Sequence, residues 1–207
     1  MISSFRISLK LTVDSHGWVD LVPWVWDEGN GTLSRYESIG PNLEGMITLM
    51  QTSPTTLEVT VDTNKPFNDL SRAKDLVTRW LSIDWFPGDA MVVAEKLDNR
   101  ISQLLKIGAG RMLRGSTFYE DFVKTICTIQ INWSGTKRML NSLMELRGTK
   151  MFPTPVEILD IGEHNLRQKA KLGFRAATLI SSTDKLLSQG WIDDYGNSSP
   201  DSISKEV

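Results

Sequence analysis

The period of the hydrophobic pattern changes near residue 65, and that change limits the possible folds more than any other feature of the sequence. Before it, apolar residues recur at every second position, which turns one face of an extended chain toward a core. Phe5, Ile7, Leu9, Leu11 and Val13 alternate in this way and predict a half-buried strand over residues 5–13. Residues 18–26 are rich in aromatic and branched side chains but contain Pro23, which cannot donate to a ladder and so predicts an edge or broken strand. The turn-forming run 27–32 leads into a hairpin partner at 33–39. Residues 46–51 and 56–62 add two further strands, the last alternating at Leu57, Val59 and Val61. The first 65 residues therefore read as an antiparallel sheet.

From residue 68 onward the spacing is that of a helix. Leu70, Ala73, Val77, Trp80 and Leu81 share one stripe suited to pack on the sheet. Pro87 and Gly88 interrupt the chain before a helix predicted over 89–105, with Met91, Ala94, Leu97, Ile101 and Leu104 or Leu105 on its apolar face. Residues 108–115 read as a loop. Thr117 followed three residues later by Glu120 is the capping-box pattern, opening a helix that runs to about residue 129. Further helices are expected at 134–146, 155–161, 165–173 and 175–190. The fold class is α+β, with a sheet-plus-helix domain over 1–107 and a helical domain over 108–207.

At 207 residues with 40% apolar composition the chain can bury a real core, which excludes a disordered protein. The single cysteine, Cys127, allows no internal disulfide, and with His16 and His164 far apart it makes a poor zinc site, so no metal and no other cofactor is expected. No apolar run approaches the roughly 18 residues of a membrane span, and the opening residues do not form a signal peptide. These features predict a soluble, intracellular protein without a membrane partner. The net charge of −2 hides a segregation. Residues 98–175 carry thirteen Lys and Arg against seven Asp and Glu, and the rest of the chain carries ten against eighteen. Such a stretch is either a set of solvated helix faces or a surface that faces phosphate.

The segment 118–140 is the most informative. An apolar helix ends in the alternating polar residues Thr128, Gln130 and Asn132, and a basic helix begins a few residues later. An uncharged amide at such a junction is usually a cap, yet it can also fill the space of a base removed from a duplex and hydrogen-bond the orphaned partner. The run 110–115, then 118–140 with Ile126-Cys127-Thr128, then Phe152-Pro153-Thr154-Pro155 through Leu159, then Lys171-Leu172-Gly173-Phe174-Arg175-Ala176-Ala177, resembles the helix-hairpin-helix superfamily of DNA base-excision glycosylases. Both the 3-methyladenine and the 8-oxoguanine branches are resembled, over roughly residues 108–190. The resemblance implies a TBP-like N-terminal domain followed by a glycosylase-type helical domain. It also implies that Gln130 plugs the gap left by a flipped nucleotide, flanked by Thr128 and Asn132. Phe174 would wedge beside the base opposite the lesion and Arg175 would hydrogen-bond it, a sensible arrangement because inserted side chains recover part of the unstacking cost. For Phe174 the plain alternative is core packing at a helix end.

Trp18, Trp24 and Trp26 are candidate base-pocket residues, since electron-rich rings attract a cationic alkylated base; the plain alternative is again a core position. In the superfamily a Gly-rich hairpin and the catalytic aspartate, or the lysine nucleophile of bifunctional members, follow a helix that here would start near Ser202. The resemblance therefore implies a helical domain incomplete in this sequence, truncated before the hairpin, with catalytic residues expected beyond Val207 and none within it. The expected function is removal of damaged bases, alkylated purines favoured over oxidised guanine, on double-stranded DNA. Two other readings stand beside it: a catalytically inactive DNA-binding remnant, and a protein-interaction module. Exposed apolar surface at Ile203, Val207 and the inner faces of the 155–190 helices would favour modest stability and self-association. The corresponding location is the cytoplasm or nucleoid, or the nucleus in a eukaryote.

Overall fold

A computed structural model describes residue 1 and residues 5–190. The fold is α+β, with one four-stranded antiparallel sheet and eight α-helices among the described residues. Strands β1 (Val25–Asp27), β2 (Thr32–Gly40), β3 (Leu43–Ser53) and β4 (Thr56–Thr63) lie side by side in sequence order. Each pairs with the next through a short turn, the first closed by Asp27, whose carboxylate accepts the Asn30 backbone N–H at 3.1 Å. Leu33, Ile39, Ile47, Leu49 and Leu57 line the inner face and are buried. The short β1 is an edge strand that begins two residues after Pro23, so the residue without an N–H stays outside the ladder.

The first segment departs from expectation. Residues 9–13 form a short helix, α1 (Leu9–Val13), not a strand. Leu9 and Val13 stand two alternations apart but also one helical turn apart, so both periods bury the same pair. Local polar groups decide for the helix: the Ser8 hydroxyl accepts the Leu11 N–H at 3.2 Å, and Lys10 pairs with Asp14 at 2.8 Å. Trp18–Asp20 then form a single tight 3₁₀ turn where an edge strand was expected to begin.

Helix α2 (Ser71–Leu81) covers the sheet with Ala73, Leu76, Val77, Trp80 and Leu81, all buried. The helix expected over 89–105 is two helices, α3 (Gly88–Leu97) and α4 (Asn99–Lys106). Asp98 separates them with an extended φ of −157°, and its carboxylate accepts the Arg100 N–H at 2.8 Å to cap α4. The expected apolar stripe is only partly used: Ala94 and Leu105 are buried, whereas Leu97, Ile101 and Leu104 are exposed.

The chain divides into two compact units after Arg114, whereas the charge and loop pattern suggested residue 107. The loop 108–114 belongs to the first unit for physical reasons. Arg111 is buried there and donates to the carbonyls of Ser82, Arg6 and Trp85 at 3.2, 3.3 and 3.1 Å. Leu113 is fully buried, and the Arg114 N–H reaches the Trp80 carbonyl at 3.0 Å. Gly108, at φ +95°, passes so close to residue 7 that a Cβ would sit 2.7 Å from the Ile7 carbonyl carbon, so only glycine fits.

The second unit holds α5 (Phe118–Thr128), α6 (Trp133–Arg147), α7 (Pro155–Gln168) and α8 (Arg175–Ser188). Thr117 caps α5 as expected, accepting the Glu120 N–H at 3.0 Å, but the Glu120 carboxylate reaches back to the Ser116 N–H and not to Thr117 itself. A complete capping box opens α7 through Thr154 and Glu157. The two helices expected at 155–161 and 165–173 are one run with a break at Gly162, φ +73°, and it ends at Gln168, leaving 169–174 as a turn. Leu140, Leu143, Ile158, Leu166, Leu172, Ala176 and Leu179 form the core of the bundle, and Tyr119 on α5 meets Thr183 on α8 at 2.6 Å between hydroxyls. The inner face of 155–190 is thus mainly covered, with Val156 and Leu187 exposed. Ile203, Val207 and the helix start near Ser202 lie outside the described residues.

Candidate nucleic-acid interface

Helix α5 must end with its last carbonyls unsatisfied unless other groups reach them. Two side chains do so from other elements. The Thr136 hydroxyl of α6 donates to the Cys127 carbonyl at 3.1 Å, and the Arg175 guanidinium at the head of α8 donates to the Ile129 carbonyl through Nε at 2.9 Å and also through Nη2. Between these anchors the chain turns into α6. Gln130 takes a left-handed φ of +48°, which a residue with a Cβ adopts at a cost of about 1–2 kcal/mol. Its side chain is exposed and makes no hydrogen bond with the described residues. Asn132 is the cap of α6: its side-chain oxygen accepts the Gly135 N–H at 2.8 Å and the Ser134 hydroxyl at 2.9 Å. The Thr128 hydroxyl turns back to the Thr125 carbonyl at 2.7 Å. Ile131 lies against Gly135, where an added Cβ would come within 2.5 Å of it.

The turn that follows α7 carries a second strained residue, Lys171, at φ +62°. Leu172 inserts into the core, and Phe174 projects outward at 54% exposure. Arg175 differs from its expected role of bonding the base opposite the lesion. It is only 5% exposed and turned inward, with Nη1 donating to the Leu172 carbonyl at 3.3 Å and the guanidinium 4.5 Å from the Phe174 ring centroid. Arg175 thus joins the junction that carries Gln130 to the turn that carries Phe174. Of the five candidate DNA-contacting residues, Gln130 and Phe174 present their side chains outward, while Thr128 and Asn132 engage theirs in local hydrogen bonds near the surface and Arg175 is buried.

A recess of about 420 Å³ opens beside these segments, lined by Ile131, Gly135, Arg138, Met139, Asn141, Ser142, Glu145 and Lys171. Arg138 and Lys171 are exposed and form no ion pair among the described residues, so their charge faces outward next to the junction and the turn. These two cations were missed by sequence reasoning because nothing in their spacing separates them from ordinary solvated helix charges. The carboxylate of Glu145 lines the same recess, whereas Lys124, Glu120 and Cys127 of this unit are committed internally. Lys124 and Glu120 form a buried pair at 2.6 Å, and burial pushes the Cys127 thiol up to about 12, which removes it as a nucleophile. Among the described residues no cluster of His, Cys, Asp and Glu could hold a metal ion.

The tryptophan candidates lie in the first unit. Trp24 is buried edge-on against Trp80 at 5.0 Å between centroids, with the Arg35 guanidinium 4.4 Å from its ring centroid, so it is a core residue and no base can stack on it. Trp18 and Trp26 are half-buried, and the Trp26 indole N–H donates to Glu28 at 2.5 Å.

No family model matches the sequence, and no curated protein does. Solved structures match over most of the chain. The 3-methyladenine DNA-glycosylase from Archaeoglobus fulgidus is similar with a TM-score of 0.66 at 17% identity, over 88% of this chain and 65% of its own. MBOgg1, solved in complex with a low-affinity DNA ligand, gives 0.65 at 18% identity over 91% and 62%. The 8-oxoguanine glycosylase/lyase of Clostridium acetobutylicum, solved with double-stranded DNA containing cytosine opposite 8-oxoG, gives 0.64 at 15% over 91% and 62%. This chain spans less than two thirds of the length of each. Among the described residues no helix is long and apolar enough to cross a membrane. Over the part that it spans, the chain shares the fold of these solved DNA glycosylases.

Proposed function

We propose that this chain is the DNA-engaging part of a base-excision glycosylase that acts on double-stranded DNA carrying a damaged base, an alkylated purine by preference. One observation carries the reading: an exposed amide, Gln130, and an exposed ring, Phe174, stand on two strained segments that Arg175 ties together, on a fold shared with DNA glycosylases. Extruding a nucleotide costs a few kcal/mol of stacking and pairing. An inserted amide replaces the lost hydrogen bonds, and an aromatic ring replaces part of the lost stacking, worth about 1–3 kcal/mol per base. Arg138 and Lys171 supply phosphate attraction beside these tips.

The described residues are assigned recognition and distortion, not cleavage. Breaking an N-glycosidic bond needs a carboxylate or amine at the developing oxocarbenium charge, and this reading assigns that role to none of the described residues. The resemblance of the Phe152-Pro153-Thr154-Pro155 run and of the aromatic-rich N-terminal segment to the 3-methyladenine branch favours the alkylated purine, with oxidised guanine as the alternative substrate. Self-association through exposed apolar surface belongs to the same proposal. The location proposed is the cytoplasm or nucleoid, or the nucleus in a eukaryote.

Anisotropy titrations with an intact duplex and one holding a single abasic site test the reading across a range of salt. Tighter binding to the abasic duplex, weakening steeply with salt, supports it. Equal, salt-independent affinity for both would reject it in favour of a protein-interaction module. Release of free base from methylated DNA would identify an active enzyme, and binding without release would favour the inactive DNA-binding reading.

A further inference from the structure

Arg175 holds the peptide planes that lead into both candidate insertion residues. The Ile129 carbonyl and the Gln130 N–H belong to one peptide unit, so Nε and Nη2 of Arg175, both donating to that carbonyl, fix the plane from which Gln130 departs at φ +48°. Nη1 donates at 3.3 Å to the Leu172 carbonyl, whose peptide unit carries the Gly173 N–H one residue before Phe174. The guanidinium lies 4.5 Å from the Phe174 ring centroid. A cation this deeply buried ordinarily meets a carboxylate, but Arg175 has none among the described residues, and backbone carbonyl dipoles compensate its charge.

We propose that Arg175 is a positioning residue that couples Gln130 to Phe174, so that the two side chains enter distorted DNA as one preorganised wedge. The inference rests on the DNA-insertion reading given above. Two tips on independent loops would each lose conformational freedom on insertion, whereas tips fixed by a shared cation lose it once, on folding. A planar fork serves the two carbonyls from fixed directions, whereas a lysine ammonium on the same backbone has three rotatable donors and a different reach and does not hold the two planes in one geometry. Gln130 and Phe174 therefore act non-additively in the native protein, and the non-additivity disappears when the fork is removed.

Two measurements test the wedge, with R175K as the conservative variant and R175M as the uncharged one. Amide hydrogen exchange of the free protein should accelerate about tenfold or more at 129–132 and at 171–174 together in both variants, with the α5 and α8 core amides unchanged. Acceleration in only one segment, or in neither, would overturn the coupling. A double-mutant cycle of Q130A and F174A, read as affinity for an abasic-site duplex, should show a coupling of about threefold or more in the native background and none in R175K. Coupling that persists in R175K would overturn the role of Arg175. Additive losses in a native protein that prefers the abasic duplex would refute the wedge alone, whereas no such preference would refute the DNA-insertion reading and the wedge with it. R175K also carries the test if R175M fails to fold.

Discussion

Thr128, Asn132 and Arg175 spend their polar atoms on the junction, whereas Gln130 and Phe174 leave an amide and a ring exposed, so the two groups respond differently to truncation. Asn132→Ala removes the cap of α6 and is expected to cost about 1 kcal/mol of stability in denaturant melts. Phe174→Ala removes the ring that lies against the buried Arg175 guanidinium, so its stability should fall by about 0.5–1 kcal/mol. Its affinity for an abasic duplex should fall about tenfold, the loss of one stacked ring. Glu157 supplies a pH dependence. Partial burial pushes its carboxyl up, but the bonds from Arg147 and Thr154 outweigh that and hold it below its ordinary value of 4.5. A carboxyl depressed in the folded state stabilises the fold above its unfolded value, and that stability is lost as pH falls through the folded value. Thermal melts should therefore show the native protein losing more stability than Glu157→Gln as pH drops below about 4.5. Gln130 as a candidate was legible in the sequence only through the family resemblance, because an uncharged amide between two helices is usually a cap, the use to which Asn132 is put. The inward turn of Arg175 was not, because nothing local distinguishes an arginine that bonds a distant carbonyl from one that reaches solvent.

Elements were readable where one period alone explained the burial. Strands β2 to β4 alternate over enough residues that no helix could bury the same set, and α5 and α6 carry both a 3.6-residue stripe and a terminal cap. Residues 9–13 failed that test because Leu9 and Val13 satisfy both periods, and the Ser8 cap decides between them. The break at Asp98 escaped for a related reason: an aspartate within an apolar stripe reads as a tolerated interruption, while its carboxylate in fact starts a new helix. That break also divides the fate of the stripe. Leu105 is buried and Leu97 is 77% exposed, although both were expected on one covered face. Leu105→Ala is expected to cost about 2 kcal/mol or more in chemical denaturation. Leu97→Lys should leave stability within about 0.5 kcal/mol and lower any concentration-dependent association seen in sedimentation. An unchanged sedimentation profile for Leu97→Lys in a protein that self-associates would remove α3 from that contact.

At the scale of the whole molecule the excess of cations lies within residues 115–190 and is cancelled over 191–207, which carry one Lys against four Asp and Glu. Met1–Arg114 carries twelve Lys and Arg against fourteen Asp and Glu, and residues 115–190 carry ten against seven. Two of the ten, Lys124 and Arg175, are buried and unavailable to phosphate, so any electrostatic attraction must come from exposed cations such as Arg138 and Lys171. Sequence could reveal the excess but not this partition, because burial of a cation depends on partners 4 to 46 residues away. Each phosphate contact contributes about one counterion to the salt dependence, and phosphate contacts carry no sequence information. Arg138→Ala and Lys171→Ala should therefore each reduce the slope of log affinity against log salt by about one and weaken intact and abasic duplexes alike. Arg72→Ala, an exposed cation of the first unit on α2, should leave the slope unchanged. Titrations of the three variants at several salt concentrations separate the possibilities. If Arg72→Ala alone lowers the slope, the phosphate-facing surface belongs to the sheet-bearing unit; if Arg138→Ala and Lys171→Ala do so, it borders the Gln130 junction.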